Sequence, residues 1–244
     1  MLIEARGITK IFRRRGFFRS GDAADGTRAL DGVTLSLEPG SITGLAGANG
    51  SGKTTLLRVL AGRLLPDSGT ILLDDRPAGG AELRSAGALA EAGGAGFYSR
   101  LTARENIEFF GALSGLSRAE MEERCAALPV RLGLRETDLD KRFDALSEGA
   151  ARKISLLRAF ARRPRLLLLD EPANGLDARS AAAFSSLLKE PAVRGRAAVL
   201  YVCHDPAELA RSCGRVLILR EGRIAAELNG PAEKDIAEAC GGAT

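Results

Sequence analysis

The sequence predicts an α/β fold around a parallel sheet, and three observations predict it. Four consecutive leucines, Leu166 to Leu169, stand between Arg165 and Asp170, the pattern of a short strand buried on both faces. A second apolar run, Ala197 to Cys203, follows a helical pattern at 178–189. A third strand, Ser41 to Ala46, runs into a glycine-rich segment and then into a helix marked by Leu56, Leu57 and Leu60. Strands that alternate with helices need crossover connections and therefore pair in parallel.

The remaining elements follow in order. Val33, Leu35 and Leu37 alternate with polar residues and end at Pro39-Gly40, a strand and its turn. Gly62 stands where the helix after the glycine-rich segment should be capped. Residues 82–150 change character, with glycine-rich stretches and helical patterns at 103–114 and 117–128, and read as an inserted helical lobe. Ile154, Leu157 and Ala161 mark a further helix, and two short strands flank Glu221-Gly222. The expected organisation is a single domain over 1–244. Its β part and phosphate-loop core take 1–81, the lobe 82–150, the remainder of the core 151–230 and a short tail 231–244.

A chain of 244 residues can bury a full core. Its 35 basic residues nearly balance 31 acidic ones, a formal charge of +4, so no nucleic-acid partner is expected. Four scattered cysteines without a Cys-x-x-Cys pair suggest neither a disulfide framework nor a zinc site, which fits a reducing cytoplasm. Glu4 lies in an N-terminus with no apolar core for a cleaved signal. The longest apolar runs fall far short of the roughly 20 residues of a membrane-spanning helix, so work at a membrane requires a partner.

The chemistry is concentrated in a few segments. Gly47, Ala48, Asn49, Gly50, Ser51, Gly52, Lys53 and Thr54 match the phosphate-loop pattern G-x-x-x-x-G-K-[ST] between a strand and a helix; Thr55 extends the set. Glycines let backbone amides turn toward a polyphosphate, Lys53 is placed for the β- and γ-phosphates, and Thr54 offers a hydroxyl to Mg²⁺. Asp170 and Glu171 close a buried strand whose C-terminal end shares an edge with that loop. Asp170 is then the cation's carboxylate, and Glu171 the group that orients or deprotonates the attacking water. His204, the chain's one histidine, ends another strand at the same edge, where it can hydrogen-bond the γ-phosphate. Read alone, each has a plainer alternative: a connecting turn, a solvated strand end, a structural histidine.

The order of motifs resembles the ABC ATPase family. Leu146-Ser147-Glu148-Gly149-Ala150 is similar to the signature motif, Ala173-Asn174-Gly175-Leu176-Asp177 to the D-loop, and His204 falls at the switch histidine. Phe12 stands where an aromatic ring stacks on adenine, with a core position in the N-terminal strand as the alternative. The resemblance implies a P-loop NTPase (RecA-like) core with an N-terminal antiparallel β part and an inserted helical subdomain. It implies ATP and Mg²⁺ as ligands, a homodimer or heterodimer in which Ser147, Glu148 and Gly149 act on the partner's ATP, and Asp177 as a residue of the D-loop. It also implies a permease subunit on a separate chain and a peripheral position on the cytoplasmic face of the membrane.

Three departures stand out. Glu148 replaces a glycine of the signature, and Glu91 replaces the glutamine of the Q-loop while keeping an oxygen for Mg²⁺. The loop after Phe12, RRRGFFRSGDAADGTRA, is long and basic; a solvated surface loop is weighed against contact with lipid headgroups or nucleic acid. The stretch from Gly87 to Leu113 most resembles ABC-2-type exporters, which makes Phe97 and Tyr98 candidate contacts for the permease, or else packing within the lobe. Rivals are a regulatory cassette with little turnover and a soluble ABC ATPase. A GTPase is disfavoured, since no Asn-Lys-x-Asp motif is present.

Overall fold

The computed structural model describes residues 2–13, 26–91, 96–126, 128–190 and 196–241. Strands β1 (Ile3–Arg13) and β2 (Gly26–Leu37) form an antiparallel pair extended by β4 (Ser68–Leu73) and the short β5 (Arg76–Pro77), in the order β2-β1-β4-β5. Most of the basic loop expected at 13–28 lies outside the described residues. Its ends, Arg13 and residues 26–28, belong to the β1–β2 pair.

The second sheet has six strands in the order β10-β9-β3-β8-β7-β6. These are β3 (Ile42–Ala46), β6 (Gly87–Ala90), β7 (Leu166–Asp170), β8 (Ala198–Val202), β9 (Arg215–Arg220) and β10 (Arg223–Asn229). The first five pair in parallel, and β10 joins the edge as a hairpin. The leucine run of β7 shows why the sheet is central. Leu167 and Leu169 pack into one hydrophobic core, while Leu166 and Leu168 pack into the other, shared with the antiparallel sheet. A strand with no solvent face has no reason to alternate.

Helix α1 (Lys53–Leu60) follows β3 directly, and Ala61 and Gly62 close it, the latter at φ 66°. Helix α2 (Gly80–Ala86) then leads to β6, whose parallel pairing with β7 puts residues 87–90 inside the core sheet. The expected start of the helical lobe at 82 is therefore too early. Gly87-Ala-Leu-Ala90 has neither alternation nor β-branched residues, and only the neighbouring strand makes it a strand.

The lobe itself comprises α3 (Ala103–Leu113), α4 (Arg118–Cys125) and the short α5 (Leu128–Arg131) and α6 (Glu136–Leu139). Thr102 and Ser117 cap α3 and α4, each with a glutamate three residues on that returns to the cap backbone. Helix α7 (Glu148–Ala161) carries the chain back, with ten of its residues buried. The core continues with α8 (Ala178–Leu188) and α9 (Pro206–Ser212). The polar tail contains one more helix, α10 (Glu233–Gly241), anchored by fully buried Ile236. No helix among the described residues is long and apolar enough to cross a membrane.

Candidate functional site

The loop between β3 and α1 is shaped by backbone that side chains would obstruct. A Cβ on Gly47 would lie 2.2 Å from the Leu219 carbonyl oxygen, and one on Gly52 would lie 2.3 Å from that of Ala29. Both residues also have positive φ, 152° and 108°. Ala48, Asn49 and Gly50 form the exposed crest, and Thr54 and Thr55 are half-buried at the helix start. Ser51 is buried, and its hydroxyl has no hydrogen-bond partner among the described residues.

Lys53 turns back over the loop and donates from Nζ to the carbonyls of Gly47 at 2.8 Å and Ala48 at 2.9 Å. Burial pulls its pKa down, while Glu171 and Asp170 oppose that shift. A buried cation resting on two neutral carbonyls, beside an unpartnered buried hydroxyl, fits a polyphosphate that would satisfy both.

The acidic strand end meets this loop. Thr54 Oγ1 donates to Asp170 Oδ2 at 2.9 Å, which joins two hard oxygen donors of the kind that Mg²⁺ requires. Burial raises the Asp170 pKa, the Thr54 hydrogen bond lowers it and Glu171 raises it further. Arg152, buried on α7, donates to the Asp170 carbonyl at 3.1 Å and so ties that helix to the strand end.

Glu171 begins the loop after β7 with φ 46°, a left-handed conformation that is uncommon for a residue with a side chain. Its amide donates to the Val202 carbonyl at 3.0 Å, which holds that backbone in place. Its carboxylate lies 3.4 Å from His204 Nδ1 and accepts from Asn174 Nδ2 at 3.1 Å. The chain thus spends backbone strain to aim this carboxylate, a feature that clusters at functional sites.

Ser147 caps α7, accepting from the Ala150 amide at 3.3 Å, and both Ser147 and Glu148 are exposed. Gly149 lets the signature segment approach the D-loop: its Cβ position is 3.0 Å from the Gly175 carbonyl oxygen. Asp177 caps α8 through the Ser180 amide and also accepts from Lys153 Nζ at 3.2 Å. Its pKa falls to about 2, chiefly through the hydrogen bonds from Ser180.

Two expected residues have their closest described partners outside this cluster, although the Glu91 charge also helps to raise the Asp170 pKa. Phe12 is 46 % exposed near the outer end of β1, opposite Thr27 of β2, the strand whose Ala29 carbonyl abuts Gly52. Glu91 has both carboxylate oxygens on arginines, Arg58 Nε at 2.7 Å and Arg63 Nη1 at 2.7 Å. Phe97 packs inward, stacked on Phe143 at 4.3 Å between ring centroids, whereas Tyr98 is 52 % exposed. Arg152 and Lys153 were not singled out from the sequence, and Asn174 was read only as part of the D-loop. The readable signal was three cations, Arg152, Lys153 and Arg158, interleaved with the apolar residues of one helix.

Comparison with known proteins agrees with this geometry. The family described as ABC transporter matches residues 30–174. The ABC transporter ATP-binding protein NatA of Bacillus subtilis is 34% identical over 81% of this chain and 80% of its own length. The Fe(3+) ions import ATP-binding protein FbpC 3 of Rhodococcus jostii is 37% identical over 82% of this chain, which spans 58% of that relative. A solved ATP binding subunit of an ABC transporter superposes with a TM-score of 0.81 at 26% identity, covering 97% of this chain and 98% of that one. With a phosphate loop, an acid-tipped strand and a signature helix in this arrangement, the chain belongs to the ABC transporter family, as an ATP-binding subunit with the P-loop ATPase fold.

Proposed function

We propose that this chain hydrolyses ATP to drive export through a transmembrane subunit on a separate polypeptide. The observation that carries the reading is the convergence of Lys53, Thr54, Asp170, Glu171 and His204 on one edge of the core sheet. ATP phosphates take Lys53 from the Gly47 and Ala48 carbonyls, and the loop amides and Ser51 receive the anion. Thr54 and Asp170 hold Mg²⁺, which would offset the negative charge of the β- and γ-phosphates. Glu171 orients water and accepts its proton, with His204 and Asn174 steadying the carboxylate. Phe12 supplies a stacking surface for the base.

Ser147 and the start of α7 form a second anion-binding surface that faces outward, so a second cassette, identical or not, completes each site. Glu148 places a carboxylate at that surface and restrains closure on a partner's γ-phosphate. Exposed Tyr98 is a contact for the permease, which would hold the chain at the cytoplasmic face of the membrane. Export is favoured by the resemblance of residues 87–113 to ABC-2-type exporters. The import named for one relative belongs to that protein.

Purification of the tagged chain from gently solubilised membranes tests this reading. A polytopic membrane protein in stoichiometric amount is the expected companion. Recovery of the chain wholly in the soluble fraction, with no such companion, would overturn the transport reading and leave an ATPase coupled to other work.

A further inference from the structure

Glu91 directly follows the last residue of β6, and it is held there by charge. It is 6 % exposed, and its carboxylate bridges Arg58, on the phosphate-loop helix, and Arg63, just beyond that helix. Two charge-assisted bonds at 2.7 Å, one to each oxygen, already offset the carboxylate's charge with two guanidinium groups, so a cation there would compete with both arginines for it. Gly96 is fastened to the helical side. Arg158 of α7 donates to the Gly96 carbonyl at 3.2 Å, and its guanidinium lies 3.9 Å from the Phe97 ring centroid. Fully buried Asn106 of α3 accepts from the Tyr98 amide at 2.8 Å and donates to its carbonyl at 3.0 Å.

Arg158 is itself buried, and its Nη2 has no hydrogen-bond partner among the described residues. Burial pushes its pKa down to about 10, Arg63 adds repulsion, and Glu91 opposes both. The sequence between Glu91 and Gly96, Ala-Gly-Gly-Ala, supplies no second carboxylate. Glu91 therefore bridges two arginines directly, and its charge also favours the buried Arg158 cation.

We propose that Glu91 is a positioning residue that fixes the exit from the core sheet to the phosphate-loop helix and balances Arg58 and Arg63, and that it is not a ligand of the catalytic cation. The proposal rests on the reading that Thr54 and Asp170 hold the cation beside ATP. A glutamine at this position keeps an oxygen for a metal but loses the charge that the arginines need. The two roles therefore separate.

The test uses the full chain and five proteins: wild type, Glu91→Gln, the double variant Arg58→Gln/Arg63→Gln, the triple variant that combines these changes, and Thr54→Ala as the control for a lost ligand. Manganese(II) affinity with the ATP analogue AMP-PNP is read by electron paramagnetic resonance, and amide hydrogen exchange is read over residues 96–102. Glu91→Gln should keep manganese affinity within about twofold of wild type, while Thr54→Ala loses about tenfold. Exchange over 96–102 should rise about tenfold in Glu91→Gln and to a similar extent in the arginine double variant, without a further rise when the changes are combined.

A tenfold loss of manganese affinity in Glu91→Gln, with the arginine variant unaffected, would make Glu91 a ligand and overturn the proposal. Unchanged exchange over 96–102 in Glu91→Gln would overturn it as well. Should Glu91→Gln fail to fold, the arginine variant decides: its two positions are partly exposed, and it must loosen 96–102 while retaining manganese. Wild-type protein that takes up no manganese with AMP-PNP would strike the ATP reading beneath, a failure distinct from the first two.

Discussion

Asp170, Glu171 and His204 stand at or just beyond the ends of strands buried on both faces, whereas Ser147, Glu148 and Gly149 stand at the outward start of a helix. At the strand ends, each group already has a partner within the chain: Thr54 for Asp170, His204 and Asn174 for Glu171. At the helix start, the Ser147 side chain has only its cap bond among the described residues, and Glu148 is exposed. The first region is preorganised by the sheet, and the second is surface awaiting a ligand from elsewhere. Preorganised groups should respond to substitution in the isolated chain, and the outward ones only when a second cassette is present.

The largest effect expected is on the sheet that sets the first region in place. Leu168→Ala removes a fully buried side chain below the acidic strand end and should cost about 3 kcal/mol of unfolding free energy by denaturant titration. A loss below about 0.5 kcal/mol would mean that the strand end is not held by this core.

Lys53→Ala should weaken ATP binding by the isolated chain about 10- to 100-fold, measured by calorimetry, since one buried charge-assisted contact is lost. Glu148→Gly sharpens the contrast. It should leave ATP affinity of the dilute chain unchanged and raise turnover roughly threefold at concentrations where cassettes pair. Equal stimulation at every concentration would place Glu148 in the first region instead.

The smallest effect concerns pH. Asp177 has its pKa lowered from 3.8 to about 2, so the stability it contributes is present above pH 3.8 and is lost as pH falls toward 2. Asp177→Asn should flatten the acid limb of a urea-midpoint titration in that window, without moving the midpoint's pH dependence near neutrality.

What the sequence made legible follows the same division. Residues 166–170 and 47–54 were readable because their chemistry is local: an apolar run ending in acids, and glycines spaced around a lysine. Strand β6 was missed as part of the core because Gly87-Ala88-Leu89-Ala90 owes its conformation to pairing with β7. Helix α10 was read as tail because a single residue, Ile236, is buried in it. The partners of Glu91 lie 33 and 28 residues upstream, and that of the Asp170 carbonyl 18 residues upstream, distances at which only the fold brings charges together. Alignment by motif predicts where a residue stands but not which neighbours claim its side chain.

The most direct measurement is ATP turnover by Glu171→Gln beside wild type, with nucleotide binding recorded on the same samples. Loss of hydrolysis by about 100-fold or more, with ATP affinity within a few-fold of wild type, is the predicted result for a group that acts on water and not on binding. Turnover equal to wild type would contradict the assignment of Glu171, and with it the claim that this edge of the sheet is where ATP is cleaved.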